Sequence, residues 1–197
     1  MLDIIEVAHH EAGHAVAAFV LNLKIARKGL TIVPNEQSRG SVSLPPRFRE
    51  RLDTTPGGSL PPSDRIRIEN YAIAACAGDE AQKRFNPHRR YQGHDDVEYA
   101  EKLLSNISGN DDICSARLKV ARLEARSLVN KHWDEIEAVA ATLLEHKTLT
   151  PEQAQEAWSK ATRFLIVLPK VSVPRREIER FAKSLRAKYR KAGIVLN

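Results

Sequence analysis

Residues 7–16 read V-A-H-H-E-A-G-H-A-V, three histidines and a glutamate inside an otherwise apolar run. The stretch constrains the fold because it fits a helix: Asp3 is a plausible N-cap, residues 4–21 are dominated by Ala, Val and Leu without proline, and Gly13 is the one poor helix former. On that helix His10 and His14 are one turn apart, so both imidazoles can reach a single zinc ion at about 2.0–2.1 Å. Glu11 is rotated by about 100° from His10, a position that suits a general base acting on water rather than a metal ligand. His9 has Gly13 four residues on and is expected behind the ligands or at the surface. Read without a metal, the helix would bury two imidazoles and a carboxylate at a desolvation cost that nothing repays.

A zinc site needs a third protein ligand, and a catalytic one leaves the fourth position to water. Gly93-His94-Asp95-Asp96-Val97 is the best place to look, because acidic residues there introduce a helix carrying Val97, Ala100, Leu103 and Leu104 at helical spacing. The two cysteines, Cys76 and Cys114, are far apart and lack CxxC spacing, so they suggest buried thiols rather than a disulfide or thiolate site.

The rest of the pattern predicts a mainly α fold with a small two-stranded β element. Leu30–Val33 and Ser41–Leu44 are short β-prone pieces around a polar turn, read as a hairpin or two edge strands. Residues 45–62 hold five of the ten prolines and read as a mobile surface loop. A helix capped by Ser63 or Asp64 is expected to run to about Phe85, and residues 111–146 to form two helices or one bent one. Thr150-Pro151-Glu152-Gln153 is a capping box that starts a further helix. Phe164–Leu168 looks extended and leads to a basic amphipathic helix over about 175–192, with Ile178, Phe181, Leu185 and Tyr189 on one face. The division predicted is a 1–163 domain with a basic C-terminal extension, 164–197.

Composition bounds the function classes. With 42% apolar and 28% charged residues, the chain is ordinary for a folded globular protein. No apolar run approaches the roughly 20 residues that span a bilayer, and no basic region precedes an apolar stretch, so neither a membrane span nor a secretory signal is expected and the cytoplasm is the default compartment. The net charge of +6 is local: residues 170–197 carry +7, which leaves the remainder at −1. That tail reads first as a docked helix with solvated Lys and Arg; contact with nucleic acid or an acidic surface is the alternative, poorly supported by only two interleaved aromatics.

Side by side, these segments resemble the protease domain of FtsH-type ATP-dependent zinc metalloproteases. The resemblance covers residues 7–158. It rests on H-E-A-G-H at 10–14, T-I-V-P-N-E-Q-S-R-G-S-V-S-L-P at 31–45, A-G-D-E-A-Q at 77–82, G-H-D-D-V-E-Y-A at 93–100, R-L-E-A-R-S-L-V at 122–129 and T-L-T-P-E-Q at 148–153. It implies that His10, His14 and Asp96 are zinc ligands, with Asp95 and His94 the alternatives to Asp96, and that Glu11 activates water. It also implies that the strand Gly40, Ser41, Val42, Ser43 and Leu44 receives an extended polypeptide substrate by β-addition. The activity implied is metalloendopeptidase cleavage of unfolded or flexible polypeptides, with a hexamer as the assembly. Departures from the family are Gln82 in place of a glutamate, Asp79 in place of an arginine and Glu101 in place of a threonine. No GxxxxGK[ST] motif occurs, so a separate ATPase partner is expected if folded substrates are used. The contrasting expectation is a catalytically degenerate, protease-like interaction module.

Overall fold

The computed structural model describes residues 4–25, 27, 29–33, 60–88 and 95–167, of which 163–167 by backbone alone. The chain divides into two units, Met1–Thr162 and Arg163–Asn197; the contacts below belong to the first. Gly40–Leu44, most of the 45–62 loop, His94 and the basic tail beyond Val167 lie outside the described residues.

The histidine-bearing segment forms helix α1, Ile4–Val20. It ends because Asn22 takes a left-handed conformation, φ 53°, and the Leu23 N–H turns back to the Ala18 carbonyl at 2.8 Å, a closure that satisfies carbonyls the helix leaves open. After strand β1, Leu30–Thr31, comes α2, Pro62–Phe85. Its start differs from expectation: neither Ser63 nor Asp64 caps it, and Pro61 precedes a proline at the first helical position, where the missing N–H costs nothing.

Every residue of α2 from Tyr71 to Gln82 is buried, because α1, α3 (Asp95–Ser105) and α4 (Asp111–Lys131) surround it. A helix buried all round must be apolar or small, and residues 72–78 read A-I-A-A-C-A-G. Helix α3 buries Ala100, Leu103 and Leu104. Residues 111–146 are two helices: α4 stops at His132, and α5 runs from Trp133 to His146, packing Ile136, Val139 and Leu143 inward and lying against α1.

Lys147, at φ 64°, ends α5 and turns the chain into strand β2, Thr148–Leu149. Here the chain takes a strand partner that was not expected. The observed partner of β1 is β2, antiparallel with Leu30 opposite Leu149 and Thr31 opposite Thr148, while Ser41–Leu44 falls outside the described residues. The capping box is present: Thr150 N–H donates to Gln153 Oε1 at 2.8 Å, and Gln153 N–H to Thr150 Oγ1 at 3.2 Å. It opens α6, Pro151–Val167, whose Trp158 stacks on Phe19 of α1 at 5.3 Å. Phe164–Val167, expected to be extended, continues this helix, since nothing after the capped start breaks it before Val167. The fold is thus mainly helical with one small antiparallel sheet. Among the described residues no helix is long and apolar enough to cross a membrane.

Candidate metal centre

Helices α1 and α2 approach each other more closely than ordinary side chains permit. A Cβ on Gly13 would stand 2.6 Å from Ala81 Cβ and 2.7 Å from the Ala77 carbonyl oxygen, and one on Gly78 would stand 2.4 Å from His14 Nε2 and 2.9 Å from His10 Cε1. The weak helix former inside the histidine motif is therefore there for clearance. Gly78 gives the two imidazoles their room.

Packed against α2 in this way, the rings are held edge to face, centroids 4.6 Å apart. His14 is 2% exposed, and its Nδ1–H donates to the Ala74 carbonyl at 2.8 Å. That bond fixes the ring so that Nε2 points away from Ala74, the arrangement usual for metal-binding imidazoles. Helix α3 enters with Asp96 in its first turn, and Asp96 Oδ2 lies 3.0 Å from His10 Nε2 and 3.3 Å from His14 Nε2. The two Nε2 atoms are 3.0 Å apart. Three donor atoms from two helices thus meet at one point, and the group could hold a metal ion. Asp95, the neighbouring candidate, is exposed.

Electrostatics reflect this crowding. Burial alone would lower the His14 pKa, but the Asp96 carboxylate, with Glu11 and the Ala74 carbonyl adding to it, raises it to about 10. For Asp96, burial works upward and is outweighed by the two imidazoles, which hold its carboxyl far below the usual range. Glu11 is half-buried beside the pair, and among the described residues no hydrogen bond engages its carboxylate. Burial, reinforced by the acids Asp79, Glu80 and Asp96 against an opposing effect of Arg122, pushes the Cys76 thiol up to about 12. It stays a neutral thiol at physiological pH, and both cysteines are buried and unpaired as disulfides, as expected.

The other residues singled out from sequence take different places. His9 is neither at the surface nor among the ligands: it is 7% exposed, stacks on Phe85 at 4.1 Å and faces Trp133 at 5.6 Å, and its Nδ1–H donates to the Ile5 carbonyl at 2.8 Å. Desolvation lowers its pKa, so it is a neutral packing residue. Asp79 is buried with Oδ1 3.9 Å from His10 Nδ1, on the side of the ring away from Asp96. Gln82 turns to α1, its Nε2 donating to the buried Glu6 at 3.4 Å, which also accepts from Asn86 Nδ2 at 2.6 Å.

Sequence reasoning missed the Ala74 carbonyl and the clearance at Gly78. The first carries no side-chain signal at all. The second was announced by the run of small residues 72–78, which only a close neighbour requires. Set against models of known protein families and against curated proteins, the chain matches none of either, so its function has to be read from this cluster.

Proposed function

We propose that the chain is a zinc-dependent endopeptidase that cleaves unfolded or flexible polypeptides. The observation that carries the reading is the convergence of His10, His14 and Asp96, with Glu11 on the same helix as the two histidines. Their donor atoms are 3.0 to 3.3 Å apart, close to the roughly 3.3 Å between two ligands that each stand about 2.0–2.1 Å from a tetrahedral zinc. Two imidazoles and one carboxylate are also a common catalytic donor set for that ion. Zinc held there would act as a Lewis acid, polarising the scissile carbonyl and making the attacking water more acidic.

The remaining work falls to residues of the chain. Glu11 would take the proton from the attacking water on its carboxylate and deliver it to the departing amine nitrogen, acting as base and then as acid. The Ala74 carbonyl keeps the His14 tautomer fixed through the cycle, and the close α1–α2 contact holds both rings rigid. Substrate would add as a strand along Gly40–Leu44, and a separate ATPase would be the partner for folded substrates; both rest on the family resemblance.

Metal content and turnover, measured together, test the proposal. One zinc per chain and chelator-sensitive cleavage of a disordered protein are expected. Glu11→Gln should keep the zinc and lose about 10²–10⁴-fold in rate. Zinc bound without any cleavage would favour a protease-like interaction module, and a folded chain that binds no metal would overturn the site itself.

A further inference from the structure

Helix α4 is apolar on two faces, and among the described residues only one of them is buried. Cys114, Ala121, Ala125 and Val129 are buried. Ile113, Val120 and Leu123 are 44%, 54% and 53% exposed, and Ala116 is exposed with them. At about 100° per residue the exposed stripe lies roughly 150° from the buried one, nearly back to back with it. Its spacing is a heptad seam: Ile113 and Val120 fall at the a positions, Ala116 and Leu123 at d, with Ser127 at the next a. Branched residues at a with leucine at d favour two strands.

We propose that α4 is the seam of a parallel homodimer of this chain, Val120 of one copy packing on Val120 of the other. Charge decides both the occupant and the direction. In a parallel pair the g position of one helix faces the following e position of the other, which sets Lys119 against Glu124 and Asp112 against Arg117. Both contacts pair opposite signs, although Arg117 already bonds Glu69 of α2, so Lys119 with Glu124 is the pair that counts. An antiparallel pair centred on this stripe would instead set Lys119 against Lys119 and Arg117 against Arg117, and its opposite-signed contact, Asp112 against Arg126, uses an arginine already bound to Glu80. The last parallel pair, Arg126 with Lys131, is alike in sign, but Arg126 Nε already bonds the buried Glu80 at 2.8 Å, which offsets its charge. Among the described residues the helices that contact α4 are α1, α2, α3 and α5, and the exposure of Ile113, Val120 and Leu123 shows that none of them covers this stripe. The metal cluster is not involved, and the inference stands apart from the peptidase reading.

Sedimentation of the full chain across a concentration series up to about 100 μM tests it. A monomer–dimer equilibrium is expected. Val120→Glu should raise the dissociation constant at least about tenfold by burying a charge in the seam, with zinc content and helicity unchanged. Lys119→Glu should weaken the dimer, and Lys119→Glu combined with Glu124→Lys should restore it. Ile113→Cys should cross-link to itself on mild oxidation, against a background of none from the buried Cys76 and Cys114, because an antiparallel seam would set Ile113 against Leu123. A monomer at every concentration, a hexamer, a dimer indifferent to Val120→Glu, or a dimer in which Ile113→Cys fails to cross-link would each overturn the proposal. Should Val120→Glu misfold, the cross-link decides alone.

Discussion

His14 is the residue at which the chemistry of the cluster can be read most directly. With its pKa raised to about 10, the ring carries a proton at pH 7 that a metal has to displace. Binding of zinc at pH 7 should therefore release about one proton per site, measurable by calorimetry in buffers of different ionisation enthalpy, and apparent affinity should climb as pH rises toward 10. Before loading, the protonated ring stabilises the fold most below its unfolded value of 6.5, and that contribution fades as pH passes through about 10. Gly78 makes the complementary steric point. Gly78→Ala places a methyl where His14 Nε2 already stands, so we expect a stability loss of about 1–3 kcal/mol and a drop in zinc affinity well beyond what a surface Gly→Ala would cause. Calorimetric melting and a competitive chelator titration check the two effects separately.

Pairs of helices decide which local rules hold. In an isolated helix Gly13→Ala would stabilise by about 1 kcal/mol; here it should destabilise, since the new methyl would meet Ala81 and the Ala77 backbone. A higher melting temperature for that variant would contradict the close approach of α1 and α2. The same pair explains what could be read in advance. The His10–His14 spacing and the helix around it were legible because a turn of helix is local, and so was the segment Gly93–Val97 as an acidic helix start, whereas the choice of Asp96 within it came from the family resemblance. The partner of Leu30 was not legible: two-residue strands have no period, and Thr148–Leu149 reads as the approach to a capping box. Nor was the break at His132, which no glycine or proline marks. Ile113 and Val120 show a further limit, since helical spacing announces an apolar face without saying whether the same chain covers it.

At the scale of the whole molecule, the cluster joins the first described helix to one near the middle of the chain, so a metal held there would act as a cross-link between α1 and α3. Zinc should raise the melting temperature of the wild type progressively with concentration, by mass action on the folded state, and leave Asp96→Ala unmoved; a shift of equal size in that variant would place the stabilising ion elsewhere. The two-residue sheet has the longest reach of all. Thr31 and Thr148, 117 positions apart, meet through their hydroxyls at 2.9 Å, and Leu30 and Leu149 are wholly buried beside them. During synthesis the strand that fastens the chain just after the histidine helix is made more than a hundred residues later than that helix. At roughly 5–20 residues per second that is an interval of many seconds in which α1 waits for the strand pair that fastens the chain behind it.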